Sequence, residues 1–434
     1  MPLRLDAGAA GFAHQFNALV DARRESDAGV AADVAGIVAD VRARGDVAVA
    51  ELTHKFDRID LADVGVEVSR AEIAAARAGV ASDVLAALEF AADRIRAFHA
   101  AQRPVDLDTT DSAGIRLGYR WSPVAAAGLY VPGGLASYPS SVLMNAVPAK
   151  VAGVARVVMV TPTPGGRLNP LVLAAAELAG VDQVFRIGGA QAVAALAYGT
   201  ETIAKVDKIV GPGNAWVAEA KRQVFGVVGI DMVAGPSEVV VVSDDRSDPE
   251  WVAADLLAQA EHDATAQSIL ITDSAAFGDA VAAAVERQLL DLATQSTARK
   301  SWDAFGTIIV VPDFDAAIPL IDALAAEHLQ IMLDDPDVLF QGVSHAGSVF
   351  LGRHTPEAVG DYVAGPNHVL PTGRRARFSS GLGVTDFMKR TTFLGCGPAG
   401  LAVIGPAAVT LATAEGLPAH ANSVALRLHR APHD

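Results

Sequence analysis

Apolar residues recur at helical spacing in two stretches before Pro104. In the first stretch, residues three or four positions apart form one apolar face: Ala31, Val34, Ile37, Val38 and Val41. Asp27 is placed to cap this helix at its start, and Gly45 is placed to end it. The second amphipathic stretch covers residues 82–101. We therefore expect residues 1–105 to form a helical N-terminal region that packs on the rest of the molecule.

Beyond Pro104, short and continuous apolar runs alternate with helical stretches. The strand candidates are 124–131, 156–161, 183–188 and 208–211, and the helix candidates between them are 141–151, 169–179 and 190–198. Strands that are apolar throughout are typical of a sheet covered on both faces. Alternating strands and helices favour a parallel, doubly wound sheet. We predict one such domain over residues 106–235.

The alternation repeats after the segment Gly235-Pro236-Ser237-Glu238. The second set of strand candidates is 238–243, 268–272, 306–311 and 348–351. The helix candidates are residues 249–262, capped by Asp248, residues 274–295, and a helix that ends near His328. Pro319 predicts that the last of these starts late or bends. The predicted fold class is therefore α/β, with two Rossmann-like doubly wound domains, the second over residues 236–380.

The C-terminal residues 381–434 have a different pattern. They are rich in alanine and predict a helical tail that is interrupted at Gly405 and Pro406 and packs on its own chain or on a neighbour. Two long stretches, 122–149 and 391–414, carry no charged residue. Several glycines and prolines interrupt both, and in lipid these would leave backbone groups without hydrogen bonds, so neither is predicted to span a membrane.

The balance of charge narrows the possible partners. The 434 residues are 51% hydrophobic and 19% charged, which is typical of a compact globular chain. The formal net charge is −16, since 50 acidic residues face 34 basic ones. This charge disfavours nucleic acid and anionic membranes as partners.

Cysteine usage bears on the redox compartment and on metal binding. Cys396 is the one cysteine, so the chain can form neither an internal disulfide nor a thiolate zinc cage. It lies in an apolar, Gly-rich stretch, where we expect a buried and inert thiol. The first residues lack the long apolar core of a signal peptide, and we expect a cytoplasmic protein.

Gln259 and His262 are the first candidates for chemistry. They lie three positions apart on a predicted helix, so their side chains point the same way. An amide oxygen and an imidazole nitrogen on one helical face can bind one cation. The alternative is a polar helix end that carries an ordinary surface histidine, and glutamine is an unusual zinc ligand.

Glu327 and His328 are the second candidate pair, at the C-terminal end of a predicted helix. Adjacent residues do not share a helical face, so the two side chains could act on different atoms. Histidine can take a proton at neutral pH, and glutamate can activate a water. The alternative is a cationic histidine favoured by the negative end of the helix dipole.

Further polar residues flank turns. Asp361 and His368 flank Gly365-Pro366-Asn367, and Glu415 and His420 bracket Gly416-Leu417-Pro418. Such turns fold the chain back and can bring polar groups into one site, although most such residues are merely solvated. Glycine-rich turns also follow strands at 130–134, 188–191 and 211–214, where backbone N–H groups suit anions. None of these turns has the G-x-G-x-x-G pattern of dinucleotide-binding domains.

Around these residues the chain resembles the histidinol dehydrogenase family over nearly its whole length. The matching stretches, in family order, are GLYVPGG (128–134), GGAQAVAALAYGT (188–200), GPGNAWVAEAKRQV (211–224), DMVAGPSEV (231–239), DLLAQAEHD (255–263), AEHLQ (326–330), GDYVAGPNHVLPT (360–372) and GLPAHANSV (416–424). Two positions beside the Glu327–His328 pair depart from the family pattern, since Ala326 replaces a proline and Gln330 replaces a glutamate.

The resemblance implies an NAD-dependent enzyme that oxidises L-histidinol to L-histidine through L-histidinal and reduces two NAD⁺. It implies one Zn²⁺ per active site, and the ligands carry over to Gln259, His262, Asp361 and His420. The catalytic acid–base pair carries over to Glu327 and His328. The substrate contacts carry over to Ser237, His368 and Glu415, together with His328 and the four metal ligands, and the NAD contacts to Tyr130, Gln191 and Asn214.

The resemblance also implies a homodimer with shared active sites. In the family the C-terminal segment crosses to the other subunit, so the tail at 381–434 is expected to be domain-swapped. Glu415 and His420 would then complete the site of the partner.

The chemistry of an alcohol-to-acid oxidation sharpens the expected roles. It needs a base, a hydride acceptor and then a nucleophile for the aldehyde, which is commonly a thiolate in aldehyde dehydrogenases. Because a buried Cys396 would be inert, we expect water in that role. His328 is predicted to remove the alcohol proton, Glu327 to activate the water, and His328 to act again in the second oxidation. The zinc is expected mainly to orient the substrate.

Three rival interpretations remain open from the sequence. A zinc hydrolase would use Glu327 as the base and would work without NAD. A non-catalytic dinucleotide-binding protein would bind NAD and turn nothing over. A related dehydrogenase would act on another amino alcohol or on a sulfonate.

Overall fold

The computed structural model describes residues 2–22, 29–133, 138–233 and 235–429. Its contacts divide the chain into two units. The first unit combines Met1–Gln102 with Ala125–Phe387, and the second combines Arg103–Val124 with Met388–Asp434. The predicted helix cap Asp27, and Gly134 of the first glycine-rich turn, lie outside the described residues.

A short strand and several helices open the first unit. They are β1 (Leu3–Asp6), α1 (Phe12–Asp21), α2 (Val30–Arg44), α3 (Asp46–Asp57), α4 (Leu61–Val64), α5 (Arg70–Ala78) and α6 (Ser82–Ala100). The two amphipathic stretches are confirmed as α2 and α6, and α2 ends at Gly45 and buries Val34, Val38 and Val41. The expectation that this region is helical throughout is wrong at β1. That strand pairs with a later strand and buries only Leu5, so its own pattern is too short to show.

The next strands of the chain, β2 (Leu107–Thr110) and β3 (Arg116–Pro123), belong to the second unit. The first parallel sheet then follows in the first unit. Its elements are β4 (Ala126–Tyr130), α7 (Pro139–Ala152), β5 (Arg156–Val160), α8 (Pro170–Leu178), β6 (Gln183–Phe185), α9 (Gly189–Tyr198), β7 (Lys208–Val210), α10 (Ala215–Val224) and β8 (Gly229–Ile230). The strand order is β6-β5-β4-β7-β8.

A second parallel sheet is formed by the elements that follow. They are β9 (Glu238–Ser243), α11 (Pro249–Ala260), β10 (Gln267–Thr272), α12 (Ala275–Asp291), α13 (Gln295–Phe305), β11 (Thr307–Val310), α14 (Ile318–Leu324), β12 (His328–Met332), α15 (Pro336–Phe340), β13 (Ser348–Leu351) and α16 (Glu357–Tyr362). The strand order is β1-β11-β10-β9-β12-β13. Apart from the added β1, both sheets are wound in the same order, with their first strand in the middle. The prediction of two Rossmann-like doubly wound domains is confirmed.

The segment around Glu327 and His328 differs from its prediction. Helix α14 carries Pro319 in its first turn, as expected, but it ends at Leu324. Ala325 follows with a φ of 41°, a left-handed conformation that stops the helix. His328 therefore begins β12, which is buried between β9 and β13. The prediction of a helix that ends near His328 is wrong, because the polar side chains of His328 and Gln330 interrupt the apolar run that would have indicated a strand.

The second unit combines a three-stranded antiparallel sheet with two helices. Strand β14 (Met388–Gly395) pairs with β3, β3 pairs with β2, and α17 (Pro398–Ala414) and α18 (Pro418–His429) follow. The expected interruption at Gly405 and Pro406 is wrong, because α17 runs through both residues. At Gly405 the two helices are so close that a Cβ would lie 3.0 Å from Leu428.

Two further expectations concern the burial of Cys396 and the two long stretches without charged residues. Cys396 follows β14 and is exposed, so the expected burial of its thiol is wrong. Within the described ranges, no helix combines the length and the apolar character needed to cross a membrane.

Candidate functional site

A cavity of about 350 Å³ lies in the first unit, where edges of the two parallel sheets face each other. From the first sheet it is lined by the turn after β7, residues 211–214. From the second sheet it is lined by Ser237, just before β9, and by Glu327 and His328 at the start of β12. The cavity thus meets the carboxyl ends of one set of strands and the amino ends of the other.

His328 has one ring nitrogen tied to the backbone and one without a partner. Its Nδ1 lies 3.3 Å from the carbonyl oxygen of Glu238 on the neighbouring strand β9. A carbonyl only accepts, so we place the proton on Nδ1 and the lone pair on Nε2. Among the described residues, buried Nε2 has no hydrogen-bond partner. His328 lines the cavity, and its neutral ring keeps an unprotonated nitrogen that can act as a base.

Three carboxyl groups surround the ring of His328. Glu327 and Glu357 each place an oxygen near Nδ1, at 3.8 and 3.6 Å, and Asp361 places one 3.7 Å from Nε2. Glu327 is held by the backbone N–H of Glu238, which donates to its Oε2 at 3.1 Å. The sequence reasoning missed Glu357. The available signal was its place on α16, four residues before Asp361, which puts the two side chains on one helical face.

Burial shifts the pKa values of these groups in opposite directions. Loss of solvation raises the pKa of Glu327 and of Glu357 well above the ordinary range and raises that of Asp361 to about 7. It lowers the pKa of His328 to about 3 and that of His368 to about 4. The imidazoles are therefore neutral at physiological pH, which is the form that accepts a proton.

Gln259 and His262 lie side by side, although not on one helix. Helix α11 ends at Ala260, so Gln259 is helical and His262 lies in the following turn, exposed on the lining of the cavity. The turn is tight, since the backbone N–H of His262 donates to the carbonyl of Gln259 at 3.2 Å. It preserves the predicted proximity, with Nε2 of Gln259 3.1 Å from Nδ1 of His262.

The turn between Asp361 and His368 folds back as expected. Nδ1 of His368 lies 2.9 Å from the carbonyl oxygen of Asp361, and its Nε2 lies 3.2 Å from Oγ of Ser141. Asn367 fixes the turn, because its amide donates to the carbonyl of Met144 at 2.6 Å and its oxygen accepts from the N–H of Val369 at 2.9 Å. Both Asp361 and His368 line the cavity.

Some of these side chains offer donor atoms for a metal ion. Across residues 2–22, 29–133, 138–233 and 235–429, no three His, Cys, Asp or Glu side chains are grouped to hold an ion. The first unit supplies His262, Asp361 and the amide of Gln259 from the predicted ligand set. Oε1 of Gln259 is buried and has no hydrogen-bond partner in the described chain, which leaves a free oxygen donor. Together with an imidazole and a carboxylate, it fits a zinc ion.

Glu415 and His420 belong to the second unit. Glu415 caps the C-terminal end of α17, and His420 lies in the first turn of α18. Both residues are exposed. The two candidates thus lie on either side of the turn at Gly416, at the end of α17 and the start of α18.

The predicted NAD contacts follow strands of the first sheet. Tyr130 ends β4, and its hydroxyl accepts from the N–H of Gly189 at 3.0 Å. Gln191 lies in α9, and its buried Oε1 has no partner among the described residues. Asn214 follows β7 and caps α10 by accepting from the N–H groups of Trp216 and Val217. Strands β4 and β7 flank the point where the winding reverses, and ligands of doubly wound sheets bind there, beyond the carboxyl ends of the strands.

Asp255, one turn before Gln259 on α11, gives a test of the electrostatics around the site. Its carboxylate accepts from the amide of Gln330 at 2.7 Å, and burial raises its pKa to about 6. The folded protein thus binds this proton more tightly than the unfolded chain, and stability falls as pH rises from about 4 to about 6. We expect Asp255→Asn to stabilise the protein by about 1–2 kcal/mol above pH 6.5, after allowance for partial exposure.

Thermal unfolding of chelator-treated protein, at pH 4.5 and pH 7.5 and at one protein concentration, measures this effect. The melting temperature should rise by about 1–2 °C at pH 7.5. The gain should shrink at pH 4.5, where the native carboxyl is already protonated. A loss of stability at pH 7.5, or an equal gain at both pH values, would contradict the assignment.

Known proteins resemble this chain over nearly its full length. The family model described as histidinol dehydrogenase matches residues 20–428. A histidinol dehydrogenase of Zymomonas mobilis is 62% identical over 99% of this chain and 100% of its own length. One from Rhizobium meliloti is 61% identical over 99% of each chain. The crystal structure of histidinol dehydrogenase from Elizabethkingia anophelis superposes with a TM-score of 0.94 at 36% identity and covers 98% of both chains.

Proposed function

The chain belongs to the histidinol dehydrogenase family, and from that premise we propose that it oxidises L-histidinol to L-histidine through L-histidinal while two NAD⁺ are reduced. Membership makes it an oxidoreductase of histidine biosynthesis. The observation that carries the detailed proposal is the neutral imidazole of His328, which lines a cavity between the edges of two Rossmann-like sheets and whose buried Nε2 has no hydrogen-bond partner among the described residues. A chain with a single cysteine suits the reducing cytoplasm, where we place the reaction.

His328 performs the proton transfers in this proposal. Its Nε2 takes the hydroxyl proton of the alcohol as the carbinol carbon loses hydride, and NAD⁺, when bound, accepts that hydride. The carbonyl of Glu238 holds Nδ1–H, so the imidazolium that forms stays oriented. Ionised Asp361, with an oxygen 3.7 Å from Nε2, stabilises the positive charge of the ring.

Glu327 prepares the second oxidation. Because burial raises its pKa, the ionised carboxylate of Glu327 is a stronger base than an exposed one. It takes a proton from the water that adds to the aldehyde, while the imidazolium of His328 returns its proton to the aldehyde oxygen, which gives the hydrate and a neutral His328. The N–H of Glu238 donates to this carboxyl and fixes it beside His328. His328 then takes a hydroxyl proton of the hydrate during the second hydride transfer. Water serves as the nucleophile in this proposal, because Glu327 lies beside His328 to activate it and Cys396 is not among the described residues that line the cavity.

Gln259, His262 and Asp361 would hold zinc, together with His420. A bound Zn²⁺ would orient the imidazole and the amine of histidinol, which are natural zinc ligands. The free Oε1 of Gln259 supports this assignment. Ser237 and His368, which line the same cavity, are proposed to contact the substrate.

We further propose a homodimer in which Glu415 and His420 complete the site of a second copy. Both are exposed, so they are accessible to a partner. Apolar side chains on the same two helices are also exposed, with 64% of Val403, 63% of Leu411 and 57% of Leu426 accessible. Burial of such surface favours association.

The proposed activity is tested by the absorbance of NADH after L-histidinol and NAD⁺ are added to the purified protein. We expect two NADH for each histidinol consumed, loss of activity after treatment with a chelator, and recovery with Zn²⁺. Turnover without NAD⁺ would instead indicate a hydrolase. Binding of NAD⁺ without turnover would indicate a binding protein, and turnover of another amino alcohol or a sulfonate in place of histidinol would indicate a related dehydrogenase.

A further inference from the structure

A buried ion pair lies beside the cavity but has no part in the chemistry described above. Lys221 on α10 contacts Asp231, which follows β8, and their side chains are 2% and 1% exposed. Both residues line the cavity. Removing two charges from water is costly, so a pair this deeply buried is weak evidence of a contribution to stability. Its hydrogen bonds indicate what else it does.

Both members of the pair bind the backbone of one residue, Gly211. The ammonium of Lys221 donates to the carbonyl oxygen of Gly211 at 2.9 Å, and the carboxylate of Asp231 accepts from its N–H at 2.8 Å. A second oxygen of Asp231 accepts from the N–H of Met232 at 2.6 Å. Both the N–H and the carbonyl oxygen of Gly211 are therefore hydrogen-bonded by the ion pair. These bonds depend on the ion pair, which holds the two side chains in place against each other.

The backbone of Gly211 also lies in close contact with the end of the neighbouring strand β4. Its φ is +111°, and a Cβ would lie 2.1 Å from the carbonyl oxygen of Tyr130. The backbone of Gly211 thus packs directly on the residue that ends β4. On its other side, three residues along, Asn214 caps α10. Tyr130 and Asn214, two of the residues proposed to contact NAD, are therefore set by the same glycine.

We propose that Lys221 and Asp231 are positioning residues that hold the turn at residues 211–214 in the conformation that binds the dinucleotide. This inference rests on the proposed NAD-dependent reaction. It assigns the pair an effect on the affinity for NAD⁺ and none on the proton transfers of Glu327 and His328.

The test removes both charges at once, so that neither partner is left buried alone. In the double variant Lys221→Met with Asp231→Asn, the asparagine oxygen still accepts from Gly211, but the donor to its carbonyl is lost. We expect the KM and the Kd for NAD⁺ to rise about tenfold, as for the loss of one strong buried hydrogen bond. The KM for histidinol should stay within about twofold of the wild-type value, a separation that a general loss of packing would not produce.

A second lysine–aspartate ion pair, beside the same sheet, serves as the control. Lys150 and Asp182 form an ion pair at 2.7 Å, and Asp182 likewise accepts from a backbone N–H, that of Val157. Neither residue lines the cavity. Lys150→Met with Asp182→Asn should leave the KM for NAD⁺ unchanged. If the first double variant fails to fold, Lys221→Gln with Asp231→Asn also leaves no charge buried, and its shorter glutamine side chain is drawn back from the carbonyl of Gly211. This variant should raise the KM for NAD⁺ at least about threefold.

The proposal is overturned if the folded variants bind NAD⁺ within twofold of wild type. It is also overturned if the KM values for NAD⁺ and histidinol rise together, which would indicate a general structural role. A wild-type protein that reduces no NAD⁺ with histidinol would instead refute the proposed function. The two failures are thus distinguishable.

Discussion

Replacing His328 with asparagine should lower kcat by about 10³-fold, because the site then lacks its proton acceptor. Oδ1 of asparagine is a far weaker base than a neutral imidazole, and it cannot carry the proton while hydride leaves. Binding should suffer much less, so Kd values for NAD⁺ and for zinc should stay within a fewfold of wild type. Steady-state formation of NADH, with binding measured separately by calorimetry, gives both quantities.

The matched control for this variant is His14→Asn. His14 lies on α1, where it is exposed, and should tolerate the change with full activity. If His328→Asn retains more than a tenth of the wild-type kcat, another group is the base and the assignment fails. If it loses activity only because zinc is lost, the metal content of the purified variant will reveal it.

Replacing Gln259 with alanine should raise the dissociation constant of zinc at least about 100-fold, since it removes a direct ligand where loss of outer partners already costs up to that factor. The side chain is fully buried, with an oxygen that nothing else in the described chain satisfies. Zinc bound per protomer, measured after dialysis against a chelator, should fall towards zero. Activity should fall with it and recover in part with excess Zn²⁺.

Gln341→Ala provides the control for that experiment. Gln341 is exposed at the end of α15, so its removal should leave the zinc content unchanged. Full zinc occupancy in Gln259→Ala would refute the proposed ligand. The same measurement on His420→Asn tests the proposed ligand from the second unit.

How far the sequence predicted this fold depends on how completely each element is buried. All six residues of β9 are buried, and the four consecutive valines at its centre predicted the strand with the same bounds, 238–243. Strand β12 is equally buried, yet its sequence does not indicate a strand, because the polar residues His328 and Gln330 interrupt the apolar run. Each places one nitrogen against an oxygen on another element, His328 against Glu238 and Gln330 against Asp255. Those partners are about 75 to 90 residues away in the chain. Local periodicity carries no information about them.

The site shows the same limit. The turn containing Asn367 and the contact between Gln259 and His262 are local, and spacing predicted both. Which nitrogen of His328 can act as the base is not a local property. It follows from the carbonyl of Glu238, which faces Nδ1 from the neighbouring strand. Glu357 was missed for a related reason, because a carboxyl group on a short helix reads as a solvated residue until the helix is seen to be covered.

The opposed edges of the two sheets have a consequence for the order of events in a turnover. A four-electron oxidation with a two-electron acceptor must release one reduced dinucleotide and admit a second while a reactive aldehyde waits. The residues proposed to bind the dinucleotide lie at or beyond the ends of strands of the first sheet. In the second sheet, Glu327 lies just before β12 and His328 is its first residue. In the proposed reaction, the dinucleotide would exchange along one wall of the cleft while the intermediate stays at the other. This arrangement would keep the aldehyde from escaping between its two proposed oxidations.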